Sequence, residues 1–420
     1  MDMLIENLAQ KPLVYVTKDI ERALGIPLET PGYFIVTNEN PYTQHLQEKY
    51  PTHVFLIPAP PPSSHDTASL LEHPKTLTLI ESLHVPYIVV FKNTVRIERI
   101  AQKHNLALIN PPSSLNTTIE EKISQLDLLS DYADIFPKSA TVCMRDITYD
   151  GEPFIIQYNH AHSGEGTMYI DTEETLKALQ NTFPSRPVRK SAFIDGPTLT
   201  VNCVVTPHDL LIGNCSYQIT GLSPLTDNTF STVGVDWTLA HTLLTDSQRR
   251  DLAYMIDIVG NKLRGVGWLG LFGIDVIYDR HSKTMYLVEI NPRQPASSAL
   301  ESRLQHARDP HGETIFSAHI HALLNSGIQH DQCVHIHEGA QLIQRVTALT
   351  HTIPLESRRA LNMLEETENL SAIFYENKIP NRDLVRISSP RGIMKAHRTL
   401  NELGERIVDI LHHHAESNIT

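Results

Sequence analysis

Five short apolar runs near the start of the chain most restrict how it can fold: PLVYVT (12–17), YFIVTN (33–38), HVFLIP (53–58), YIVVF (87–91) and LALIN (106–110). Each is rich in Val, Ile and aromatic residues, and turn residues or polar helical stretches separate them. Near-continuous apolar runs of this length match strands buried on both faces, and their alternation with helices predicts a doubly wound parallel α/β domain over residues 1–115. No G-x-G-x-x-G follows any of these runs, which disfavours a dinucleotide-binding domain. The segment APPPSSHD (59–66) reads as an exposed loop.

A proline-rich junction, NPPSSLN (110–116), separates this part from the remainder. Thr117 and Glu120 stand in capping-box spacing and predict a helix through EKISQLDLL. Residues 116–195 then hold strand candidates SATVCM, PFIIQYN and VRKSAFI, a polar glycine-containing loop HAHSGEG (160–166), and a helix starting near Asp171 with Glu174 at the capping-box position. Residues 196–330 begin with a hairpin around Pro207–His208, continue with a helix from Thr245 capped by Gln248, and end in an antiparallel pair, GLFGIDVIYD and TMYLVEINPR, around DRHSK. Residues 331–420 read as a smaller α+β extension with a strand in AQLIQRVTAL and a terminal amphipathic helix.

A chain of 420 residues exceeds one ordinary core, and 41% apolar with 20% charged residues fits a soluble globular protein. The formal net charge of -13 argues against general nucleic-acid or membrane-surface binding, although 23 histidines make it less negative as pH falls toward about 6. Cys143, Cys203, Cys215 and Cys333 show no CxxC spacing, so neither a disulfide framework nor a zinc site is expected. No apolar run approaches the roughly 20 residues of a membrane helix, and MDMLIENLAQKP lacks the apolar region of a signal peptide. A cytoplasmic location is the expectation.

The residues that point to chemistry are Asp275, Glu289, Asn291 and Arg293. Alternate side chains of a strand share a face, so Glu289, Asn291 and Arg293 line up along LVEINPR, with Asp275 within reach on the neighbouring strand. Two carboxylates and an amide oxygen make a site suited to magnesium, and Arg293 is placed to hold an anion. An acidic hairpin facing solvent is the bland alternative. Against it, Glu289 sits inside the apolar run YLVEIN, where a charge is costly without a partner.

GLFGIDVIYDRHSKTMYLVEINPR resembles the metal-binding hairpin of the ATP-grasp superfamily, with an acid on one strand and E-x-N-x-R on the next. The resemblance implies Asp275, Glu289 and Asn291 as ligands of magnesium (or manganese), and Arg293 as the contact to the transferred phosphoryl group or a substrate carboxylate. It extends over about residues 110–300 in the same order of segments. Lys122 would be a nucleotide-binding lysine; Ser163, Gly164, Gly166 and Thr167 would form the loop over the phosphates; main-chain groups of Ala192, Phe193 and Ile194 would meet adenine. The implied architecture is the α/β domain followed by a two-lobed ATP-grasp fold.

The sequence departs from the family at Gln157, where a phosphate-binding lysine is common; Lys190, Arg189 or Arg145 could supply the missing charge from nearby strands. His160 and His162 flank the loop and could face phosphate, whereas His335, His337, His412 and His414 read as solvated or structural. The implied activity is an ATP-dependent ligation of a small carboxylate to an amine through an acylphosphate, with neither nucleic acid nor membrane as partner and a homodimer as the default assembly. The alternatives are a non-catalytic ATP-binding sensor or scaffold of the same fold, and a small-molecule kinase.

Overall fold

The computed structural model describes residues 1–58, 65–159, 166–327 and 330–412. The five apolar runs form β1 (Leu13–Val16), β2 (Tyr33–Asn38), β3 (Val54–Ile57), β4 (Tyr87–Val89) and β5 (Ala107–Leu108), all parallel, in the order β3-β2-β1-β4-β5. Alternation places Leu13, Tyr15, Ile35 and Val54 in one core and Val14, Val16, Val36 and Ile57 in another, so the sheet is buried on both faces. The strand order reverses between β1 and β4, where a doubly wound sheet opens a crevice at its carboxyl ends.

Two helix starts differ from the sequence expectation. Thr117 does not cap a helix; one helix runs from Ser113 to Glu120 and a second from Lys122 to Leu128. Pro112 stands at the start, where its fixed φ suits the entry to a helix. Thr117 lies inside, its hydroxyl donating back to Ser113 O at 3.1 Å, and Glu120 turns toward Lys92 and Arg293 instead of a cap. The helix expected near Asp171 is capped by Thr172, whose hydroxyl accepts from Thr175 N, not by the Asp171–Glu174 pair. Thr245 and Gln248 form the expected capping box.

A four-stranded antiparallel lid sheet follows: β6 (Ser139–Cys143), β7 (Phe154–Tyr158), β8 (Thr167–Ile170) and β9 (Pro187–Ala192), in the order β6-β9-β7-β8. One face packs Phe154, Ile156 and Val188 against Leu176 of the helix Glu173–Thr182. The largest sheet contains β10 (Thr198–Val205), β11 (Leu210–Ile212), β12 (Ser216–Thr220), β13 (Thr232–Asp236), β14 (Gly270–Tyr278), β15 (Met285–Asn291), β16 (Ala340–Arg345), β17 (Ser371–Phe374) and β18 (Asp383–Ser389). Its path is β15-β14-β10-β12-β13-β16-β18-β17, with β11 paired to β10. The C-terminal strands therefore continue this sheet, and one core runs from Ile119 to Leu411.

Two polar ties hold these parts in register. Gln294, beyond β15, donates from N to Phe91 O at 3.1 Å and from Nε2 to Arg22 O at 2.6 Å. Its carbonyl accepts from Arg22 Nη1 at 2.8 Å and its side-chain oxygen from the Tyr15 hydroxyl, so the crevice end of the first sheet is bound to the strand that carries Glu289. Asp236, fully buried, caps the helix Trp237–Leu243 through Leu239 N at 2.7 Å and accepts Ile393 N and Met394 N at 2.7 and 2.8 Å. Replacing Asp236 by Ala removes a cap and leaves two N–H groups unpaired. The expected loss is about 3 kcal/mol, read as a lower denaturation midpoint in urea.

Candidate active site

The hairpin of β14 and β15 sets Asp275 directly opposite Glu289 and Gly273 opposite Asn291, with a bulge after Asp275. Directly opposed residues share a face, so the three polar side chains converge. Asn291 Nδ2 donates to Asp275 Oδ2 at 3.1 Å, and Gln218 Nε2, from β12, donates to Asp275 Oδ1 at 2.6 Å. Withdrawal from water, and secondarily the neighbouring Glu289 carboxylate, push the Asp275 pKa up to about 6, while Thr200, Lys122 and Asn291 act against the rise.

Lys122 reaches this pair from the start of its helix, with Nζ 2.5 Å from Glu289 Oε1 and its side chain buried. Gln125, one turn further on, explains why it arrives there. Its amide pairs with the main chain of Ile290, Nε2 donating to the carbonyl at 2.8 Å and Oε1 accepting the N–H at 3.1 Å. The helix is thereby fixed to the strand carrying Glu289. Ile123 N donates to Asn159 Oδ1 at 3.0 Å, tying the same helix to the end of β7.

Arg293 Nη2 donates to Asn291 Oδ1 at 3.0 Å and its Nε lies 3.3 Å from Glu120 Oε1. Glu120 also pairs with Lys92 from the first domain. Charges of alternating sign thus run from the hairpin toward the crevice of the parallel sheet.

The other sequence-derived residues divide into groups. Gln157 lies in β7, buried, opposite Thr167 of β8 and Arg189 of β9. Gly166 accepts Tyr158 N at 3.1 Å at the end of the same hairpin. Ala192 ends β9, its N–H donating to Lys138 O at 2.9 Å; Phe193 meets Tyr169 edge-on at 4.8 Å; Ile194 is half-buried beside it. Ser163, Gly164, His160, His162 and His414 lie outside the described residues. His335 and His337 stack with ring centres 6.1 Å apart, and His241 approaches His337 at 5.0 Å.

Sequence reasoning missed Gln218, Gln125 and Glu120. All three come from segments distant from the hairpin, and only Glu120 carries a charge that a sequence scan could have flagged. Among the described residues no three His, Cys, Asp or Glu stand together in metal-holding range. The oxygen set here is two acids and one amide, which suits magnesium, since that ion takes few carboxylates and fills its octahedron with water and phosphate oxygens. Among the described residues no helix is long and apolar enough to cross a membrane.

Comparison with known proteins bears on this geometry. No curated protein sequence matches the chain. Among solved structures, carboxyaminoimidazole ribonucleotide synthase from Aspergillus clavatus, complexed with ATP, aligns with a TM-score of 0.63 at 13% identity, over 96% of this chain and 98% of that one. The N5-carboxyaminoimidazole synthetase of Staphylococcus aureus, complexed with ADP, gives 0.62 at 11% identity over 96% and 97%. The biotin carboxylase domain of Hydrogenobacter thermophilus 2-oxoglutarate carboxylase, complexed with MgADP, ADP and bicarbonate, gives 0.62 at 11% over 91% and 86%. At such identities the likeness establishes the shared fold. Residues 119–297 also match the ATP-grasp domain family, a span that includes Lys122, Gln157, Asp275, Glu289, Asn291 and Arg293. The chain therefore contains an ATP-grasp domain.

Proposed function

We propose that the protein is an ATP-dependent carboxylate–amine ligase that binds ATP with magnesium between the lid sheet and the β14–β15 hairpin. The observation that carries this reading is the convergence of Asp275, Glu289 and Asn291 on one face of that hairpin, with Lys122 and Arg293 at its edges. The solved structures of the same fold that hold ATP, ADP or MgADP support it.

Asp275, Glu289 and Asn291 would hold the metal, which when bound offsets the charge of the β- and γ-phosphates. Lys122, released from Glu289, would turn its ammonium to the nucleotide. Gln157, Ser163, Gly164, Gly166 and Thr167 would contact the phosphates, and the main chain of Ala192, Phe193 and Ile194 the adenine. Arg293, anchored by Asn291 and Glu120, would orient the attacking carboxylate and stabilise charge on the transferred phosphoryl group. Attack of the carboxylate on the γ-phosphate gives an acylphosphate and ADP. An amine then displaces phosphate, and an amide forms. This chain's part is positioning and charge stabilisation.

Screening ADP release across pairs of carboxylates and amines tests the reading. Release that requires both partners supports the ligase. A phosphorylated product without an amine would mean a kinase, and tight ATP binding with no turnover for any pair a sensor. In the active pair Glu289→Gln, which keeps an oxygen for Lys122, lowers turnover at least about 100-fold while the thermal melt stays near that of the parent.

Proton linkage gives a second expectation. Asp275 holds its proton to about pH 6 in the folded chain, whereas an unfolded aspartate releases it near about 4. The metal-free fold therefore loses stability as pH rises through that window, and a cation that needs the ionised acid recovers it. The magnesium-induced rise in melting temperature should be large at about pH 7.5. At about pH 5 it should shrink, with the apparent affinity roughly tenfold weaker.

A further inference from the structure

Arg189 of β9 is 1% exposed, and a buried guanidinium is costly without an opposing charge. Its Nε donates to Ser191 Oγ at 3.1 Å, its Nη1 to Val288 O at 3.2 Å, and its Cζ lies 4.9 Å from the centre of the Phe136 ring. These contacts aim it out of the lid sheet at the strand that bears Glu289. Glu289, next to Val288, is the carboxylate whose charge favours the guanidinium, yet Lys122 already holds that acid at 2.5 Å. Glu289 thus pairs with one buried cation and acts on the other only through space, and under the reading proposed above that carboxylate passes to a metal ion. Both cations then need another anion.

Register identifies the side of the lid concerned. Thr141, Arg189, Gln157 and Thr167 lie opposite one another across β6, β9, β7 and β8, so they form one polar row on a single face. Arg189 and Lys190 are the basic residues of the four lid strands. Lys190 belongs to the opposite face, half-buried, with Nζ 4.1 Å from the centre of the Phe154 ring. Arg145 stands beyond β6, exposed and 3.7 Å from Asp146. Of the three candidates for the charge missing at Gln157, only Arg189 faces the hairpin. A lysine at 157 would oppose Arg189 directly, and like charges so placed destabilise a sheet. A neutral Gln157 beside a cationic Arg189 is therefore one consistent arrangement.

We propose that Arg189 is the lid's phosphate-contacting residue: held by Ser191 and Val288, its guanidinium binds a β- or γ-phosphate oxygen of the nucleotide, with Gln157 as a neutral hydrogen-bonding neighbour. The positive charge has moved one strand across the sheet. The inference rests on the ATP reading above, and its test uses nucleotide binding instead of ligation.

Calorimetric titration of the full chain with MgADP and MgATP provides that test, with thermal melts to confirm folding. Arg189→Gln should weaken both nucleotides by about 10- to 100-fold, the size of a lost charge-assisted hydrogen bond, and Arg189→Lys should lose less. The transposed double variant, Gln157→Lys with Arg189→Gln, should recover most of the loss. Gln157→Lys alone should not tighten binding, because it adds a second cation to an occupied site. Arg189→Gln that folds and binds like the parent overturns the assignment and leaves Arg189 a structural tie. If Arg189→Gln does not fold, Gln157→Lys decides: tenfold or greater tightening means the site lacked a cation, which also overturns it. A parent chain that binds neither nucleotide sinks the ATP reading itself.

Discussion

Two half-buried carboxylates face each other across the β14–β15 hairpin, and much of the surrounding structure answers that repulsion. Asp275 is met by the amides of Gln218 and Asn291; Glu289 is met by the ammonium of Lys122, while the guanidinium of Arg189 bonds the neighbouring Val288 carbonyl. A pair of acids in a poorly hydrated place is stable only if each is protonated, paired or hydrogen-bonded, and here those remedies are divided between them. The division leaves Asp275 with neutral partners and Glu289 with a cationic one. A divalent ion entering the site would find one acid already stripped of counter-charge.

The scaffold delivers these partners from separate layers. Lys122 comes from a helix held to β15 by the Gln125 amide, Arg189 from the lid sheet, Gln218 from β12 and Lys92 from the parallel sheet by way of Glu120. The C-terminal segment contributes by extending the sheet through β16 and β18 and by anchoring its Ile393–Met394 main chain on Asp236. A site assembled this way depends on the packing of every layer, since each supplies one member of the charge balance.

What the sequence made legible followed from local periodicity. The five apolar runs announced the parallel sheet because buried strands need no partner to be recognised, and an acid inside YLVEIN stood out because its neighbours are apolar. Asp275, Glu289 and Asn291 could be brought together because a short hairpin fixes its own register. Gln218 and Gln125 could not: a glutamine carries no signal until tertiary packing shows what it bonds. Arg189 could be named only as one of three candidates, since its pairing with Gln157 depends on register between strands separated by a long connection. The Thr117 cap failed for a related reason: S/T-x-x-E spacing is permissive, and the prolines before it set the helix start earlier.

Gln294 is bonded on its main chain and its side chain to three different segments of the first domain, at Tyr15, Arg22 and Phe91. Because it follows Arg293 directly, these bonds join the parallel sheet to the end of β15 beside the polar cluster. Under the ligase reading, an opening that admits a nucleotide would fall on the other side, where the four-stranded sheet touches β15 through Arg189. Under the same proposal, a second reactant would rest against a wall that these bonds hold in place, and selectivity among reactants would come from a fixed mould.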